Sequence, residues 1–197
     1  MMHFLIVGLG NPEKRYEKTR HNVGFEVVKR LAERHNLSFK HTDRLKGHLS
    51  SGPFHEDKMT LLMPTTYMNN SGGAVLASMN YYKIPKEAVL VIADDAAVPF
   101  GEFRLKATES SGGHNGLQSV EDMLHSKHYA RFRIGIGEKT THDLADYVLT
   151  RFSKEELLKL PELLDQAAAF VEMWMLKGVE ETMNAANIRQ KASPQKE

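Results

Sequence analysis

Four places in the chain gather side chains that can move protons or hold polarised atoms: Asn11 with His21, then Asn69, then Asp94, then His114 with Asn115. An imidazole backed by a carboxylate takes a proton from water, because the carboxylate fixes the tautomer and stabilises the imidazolium. Amide side chains add neutral donors and acceptors that hold a peptide backbone or steady the oxyanion of a tetrahedral intermediate. Together these types make a hydrolytic set with His21 as the base. Each has an ordinary explanation when taken singly. Asn11 before Pro12 suits a turn, Asn69 a helix cap, and Asp94 a cap or a strand-end ion pair. Gly112-Gly113 suits any loop, and a histidine just ahead of a helix is more often structural than not. The coincidence of four such clusters, each placed after a strand and expected at the same sheet edge, is what makes a site.

Other chemistries lack their residues. Gly8-Leu9-Gly10 begins like a dinucleotide fingerprint, but its third glycine would fall on Glu13, and Pro12 disturbs the turn. There is no Gly-Lys-Ser/Thr phosphate loop and no G-x-S-x-G elbow. Ten histidines invite a metal, yet no H-E-x-x-H occurs, and His125 with His128 has helical spacing but no evident carboxylate partner. With no cysteine there are no disulfides and no thiolate ligands. No metal and no cofactor are expected.

The elements that must position these residues follow from periodicity. The apolar run 4–7 predicts a strand leading into the loop 8–22, and Val23, Val27, Val28 and Leu31 predict a helix to about residue 36, with Asn22 as its N-cap. A weak strand or two is expected near 46–50. Further strands are predicted at 58–63, 89–92, 102–106 and 132–136, with Asp94-Asp95 already in a loop. Helices follow Asn69-Asn70 and Asn115-Gly116, and 143–148 is a short amphipathic piece. A long stripe from Leu160 to Met175 reads as core, with Gly178 capping or kinking it. Strands alternating with helices predict a single α/β domain, a twisted mixed β-sheet flanked by helices on both faces. The segments 58–63 and 102–106 are extra or antiparallel members. The domain spans 1–190, and 191–197 is a flexible tail. A formal charge of +1 excludes a bulk polycation, although local basic patches remain open. No apolar run is long enough for a membrane span, and the N-terminus shows no signal-peptide pattern. A soluble, cytoplasmic protein is expected.

These residues carry a resemblance. The blocks Gly8-Leu9-Gly10-Asn11-Pro12, Tyr16 and Thr19-Arg20-His21-Asn22-Val23-Gly24 resemble bacterial peptidyl-tRNA hydrolase. So do Pro64-Thr65-Thr66-Tyr67-Met68-Asn69 with Ser71-Gly72, Asp94-Asp95, Gly112 to Leu117 and Arg133 to Gly137, in the same order. The likeness spans roughly residues 3–185. It implies a monomeric α/β esterase that frees tRNA from prematurely released peptidyl-tRNA, without metal or cofactor. By the same matching His21 is the base, Asp94 its partner, and Asn11, Asn69 and Asn115 line the site, with Asn11 counted as catalytic because it would hold the water, the His21 side or the ribose end. Tyr16 and Met68 border the pocket, His114 sits near the peptide channel, and Gly113 belongs to the substrate-binding loop. Lys106 and Arg133 match positions associated with tRNA phosphate, and 143–148 is implied to gate the cleft with the glycine-rich loop. The chain departs from the pattern at Ala93, at Ala96-Ala97 and at Thr108-Glu109, where an acidic residue enters a loop that is often glycine-rich or basic.

Two other readings compete. Some plant organellar relatives of that family act as RNA-splicing partners, and an adaptor of that kind would not need the site. Retention of His21, Asp94 and the three asparagines argues against it. A phosphate-transferring nucleotide enzyme is weaker still, for want of a phosphate loop.

Overall fold

A computed structural model describes residues 1–137 and 143–187. The tail expected over 191–197 and the last residues of the 1–190 domain lie outside them. The chain runs β1 (His3–Gly8), α1 (Val23–Arg34), β2 (Lys40–Thr42), β3 (Gly47–Phe54), β4 (Asp57–Pro64), α2 (Ser71–Tyr82), β5 (Val89–Asp95), β6 (Phe103–Lys106), α3 (Asn115–Leu124), β7 (Ala130–Gly135), α4 (Leu144–Val148) and α5 (Lys154–Ala186).

The seven strands form one sheet in the order β2-β3-β4-β1-β5-β7-β6. The four inner strands β4, β1, β5 and β7 are mutually parallel, whereas β2, β3 and β6 pair antiparallel. Helix α1 packs with α5 and α2 with α3, one pair against each face. Strands covered on both sides must be apolar throughout, which is why Leu5-Ile6-Val7 and Val89 to Ile92 are buried without alternation. Trp174 of α5 sits edge-on to Phe4. Phe170 meets Phe103 and Phe132 beneath the β6 edge. Trp174 is a core residue, as the long stripe predicts, and Phe170, outside that stripe, is partly buried against the core. Gly178 adopts φ 82° and kinks α5. The weak strand expected near 46–50 is β3, which runs on to Phe54, with β2 earlier in the chain, and 58–63 is the parallel neighbour of β1.

Two expectations need correction. Asp94 and Asp95 are the last residues of β5 and not loop residues, because their backbones still pair with Ile134 and Gly135 of β7. Nor do four strand ends meet at one sheet edge. The carboxyl ends of β1, β4 and β5 do, being parallel, but β6 runs the other way and ends beside Arg131 at the start of β7. The segment 107–114 therefore has to travel back along the sheet to bring His114 to the edge where β5 ends.

Candidate active site

Two glycines let the base loop approach β5. A Cβ on Gly8 would run into the Gly24 carbonyl, and one on Gly24 would lie 2.5 Å from the Ile92 carbonyl and 2.7 Å from the Leu9 amide. With neither present, the first turn of α1 rests directly on the ends of β1 and β5. The 3-10 turn Arg20–Asn22 just ahead of α1 then carries His21 to Asp94.

His21 Nδ1 lies 2.8 Å from Asp94 Oδ1, and His114 Nε2 lies 2.9 Å from the same oxygen. The two rings stand 4.9 Å apart. Burial pushes the Asp94 carboxyl up, but the imidazoles of His114 and His21 outweigh it and hold it well below the usual carboxylate range. An ionised carboxylate only accepts, so both facing nitrogens carry hydrogen. His114 is defined further: its Nδ1 caps α3, accepting from the amides of Gly116 at 3.1 Å and Leu117 at 3.3 Å. Nδ1 is therefore bare, and His114 is locked as the neutral Nε2–H tautomer. His21 is the complementary case, with Nδ1–H given to Asp94 and Nε2 bonded to no protein group among the described residues.

The same geometry bears on a metal. His21, Asp94 and His114 bring three ligand types together. Metallation at His114 Nε2 would place the ring proton on Nδ1, against two amide hydrogens at the start of α3, so this donor set does not suit an ion.

Asp94, His21 and His114 line a cleft of about 380 Å³ together with Gly113, Asn115 and Arg133. Leu144, Ala145 and Val148 of α4 form a wall of the same cleft. Asn115 is exposed at the first position of α3, and Gly113, at φ 83°, leaves open space where a side chain would stand. Asn11, Tyr16, Met68 and Asn69 are not among the residues lining this cleft. Asn11 is 9% exposed, and its Oδ1 accepts from the Met68 amide at 2.8 Å, joining the β1 loop to the 3-10 turn Met68–Asn70. Asn69 is exposed on that turn, Tyr16 is half-buried under Arg15, and Met68 is buried with its sulfur over Gly116. A second hollow, also of about 380 Å³, is lined by Asn11, Pro12, Phe25, Phe39 and Met63.

Three residues behave otherwise than expected. Asn22 makes no side-chain cap for α1. Its amide bonds both backbone groups of Asn11, the N–H at 2.8 Å and the carbonyl at 2.9 Å, and so ties the Asn11 turn to the residue after the base. Arg133 lines the cleft, but much of its guanidinium is engaged inside the protein. It is 5% exposed, with Nε on Glu109 at 2.9 Å and a terminal nitrogen on the Ser110 carbonyl. The acidic departure at position 109 thus occupies it from within. Lys106 lies three residues from Phe103, whose register partner Ile134 faces Asp94, so it sits roughly 10 Å along the sheet from the cleft. There it shares a separate polar hollow with Arg104 and Glu109. Sequence reading gave Arg20 no role. Its neighbourhood to His21 was the available signal, but its partners lie more than 110 positions away.

A mixed-sheet α/β domain with a histidine–carboxylate pair at the carboxyl ends of its parallel strands is, as a class, equipped for hydrolysis. Comparison with known proteins makes this particular. The family model described as peptidyl-tRNA hydrolase matches residues 5–195. A relative named peptidyl-tRNA hydrolase in Chloroflexus aggregans is 46% identical, covering 93% of this chain and 98% of its own. Another of that name in Clostridium acetobutylicum is 42% identical over 93% and 97%. The crystal structure of peptidyl-tRNA hydrolase from Acinetobacter baumannii superimposes with a TM-score of 0.89 at 33% identity, covering 96% of this chain and 98% of that one. The chain belongs to the peptidyl-tRNA hydrolase family and is a carboxylic ester hydrolase whose substrate is peptidyl-tRNA. Among the described residues no helix is long and apolar enough to cross a membrane.

Proposed function

We propose that His21, through Nε2, is the general base for cleavage of the ester between the peptide and the terminal ribose of tRNA. The carrying observation is the shared Asp94 oxygen: it holds His21 Nδ1–H at 2.8 Å and leaves only Nε2 to face substrate. A water in the cleft gives its proton to Nε2 as its oxygen attacks the ester carbonyl. The Asp94 carboxylate stabilises the imidazolium that forms. The tetrahedral intermediate then collapses, the carbon–oxygen bond to the ribose breaks, and the imidazolium returns its proton to the leaving hydroxyl. The peptide departs as a carboxylic acid.

Asn115 is the amide best placed to steady the oxyanion, since it lines the cleft beside His21. Asn11 and Asn69, joined through the Met68 amide, hold the substrate from the opposite rim, with Tyr16 and Met68 bordering them. Gly113 gives room for the peptide. His114 acts through Asp94 and not on substrate, because both its ring nitrogens are already engaged. Lys106 is an outer phosphate contact, and Arg133 shapes the loop 109–112. The enzyme works without metal, as a monomer in the cytoplasm, where peptidyl-tRNA is made.

The test is hydrolysis of N-acetylaminoacyl-tRNA by His21→Ala, with folding followed by circular dichroism. A drop of roughly 10²–10⁴ in kcat is expected. Near-normal turnover by the folded variant overturns the assignment.

A further inference from the structure

Arg20 precedes the base and is 7% exposed. Its NH1 donates to Glu156 Oε1 at 2.9 Å and to the Ile136 carbonyl at 3.2 Å. Its NH2 lies 2.8 Å from Glu156 Oε2, and Nε donates to Thr150 Oγ1 at 3.1 Å. The planar cation lies between the rings of Tyr147, at 4.7 Å, and Phe152, at 5.0 Å. The Arg20 amide also bonds the Thr150 carbonyl at 2.9 Å. Glu156 is at once the capping-box partner of Ser153 at the start of α5.

These contacts matter because of what else holds α4. That helix has five residues and none of them is buried, so little apolar area fixes it. Val148 packs partly buried against the core, Thr19 and Arg151 form a bridge just beyond the helix, and its polar attachments are the Tyr147 ring on Arg20 and the Tyr147 hydroxyl, which donates to the Ile136 carbonyl at 2.9 Å. Yet Leu144, Ala145 and Val148 of α4 line the same cleft as His21. The guanidinium of the residue next to the base therefore holds the helix that lines the same cleft.

We propose that Arg20 is a positioning residue that sets the distance between the α4 wall and His21, and so governs substrate binding more than the chemical step. The inference rests on the reading of this cleft as the peptidyl-tRNA site. Arg20 touches neither Asp94 nor the His21 ring, so the proton-transfer pair keeps its geometry when the clasp loosens. Lysine keeps the charge but loses both the fork and the stacking plane.

The experiment compares wild type, Arg20→Lys and Glu156→Gln on N-acetylaminoacyl-tRNA, with amide hydrogen exchange on the same proteins. Expected for Arg20→Lys are a KM raised about tenfold, kcat within about threefold, and an unchanged pH profile of kcat. Exchange should speed up over 147–150 while α1 and the inner strands stay protected. Glu156→Gln should do the same to a smaller degree, and it carries the test if Arg20→Lys does not fold. A fall in kcat at constant KM, a displaced pH profile, or unaltered exchange over 147–150 overturns the inference. Failure of the cleft assignment shows separately, as a His21→Ala variant that still turns over.

Discussion

His114→Asn separates two jobs done by one ring. Asparagine is among the best N-cap residues, so the start of α3 keeps an acceptor for its amides. The shorter side chain does not reach Asp94, and the 2.9 Å bond to Oδ1 is lost. A hydrogen bond to a buried charged group is worth about 1.5–3 kcal/mol. That amount acts on the carboxylate itself. With one donor removed, more of the negative charge is left to face His21, which favours its imidazolium. Only part of the effect passes across the His21–Asp94 contact, so the acid limb of kcat/KM is expected to move and the rate on that limb to fall by roughly three- to tenfold. The sign is upward: the base is disabled by protonation at a higher pH than in the wild type. Stability should fall by about 1–3 kcal/mol. The assay is the pH dependence of kcat/KM on N-acetylaminoacyl-tRNA, with urea unfolding alongside. An acid limb that stays put or moves to lower pH refutes the idea that the two histidines compete for one oxygen.

Further predictions concern the frame. Asn22→Ala orphans both backbone groups of Asn11, and at about 1–3 kcal/mol each urea unfolding should register a loss of roughly 2–6 kcal/mol; a change under 0.5 kcal/mol would show that water replaces the amide. Gly24→Ala gains about 1 kcal/mol of helix propensity, but its Cβ meets only backbone at 2.5–2.8 Å, so overpacking of about 1–3 kcal/mol should dominate. Thermal unfolding at a raised Tm would contradict that. Asp94 has a depressed carboxyl in the folded state, so its stabilisation is present above its unfolded pKa, about 3.9, and is lost as pH falls through the folded value. The stability difference between wild type and Asp94→Asn should therefore shrink as pH drops below about 4, and a constant difference from pH 5 to 2 would be inconsistent with the pairing.

Much of this molecule was written locally. Apolar runs without alternation marked β1 and β5, helical spacing marked α1 and the core stripe of α5, and the motif blocks carried the family and His21, Asp94 and Asn115 with it. Local signals have short range, and they stop where the decision depends on direction or on a distant partner. The reversal of β6, which makes 107–114 return along the sheet, is fixed by pairing with β7, a strand some thirty positions later. Asn22 looks like a helix cap because caps are local; its actual partner is Asn11, reached only when the loop folds back. Arg133 reads as a phosphate ligand in the sequence, where its bond to Glu109, 24 positions away, does not show. The neutral state of His114 follows from two amides on one side and a carboxylate on the other. Residue types declare what chemistry is possible, but burial and the direction of each donor exist only once the chain has closed on itself, and they decide which imidazole is free to act.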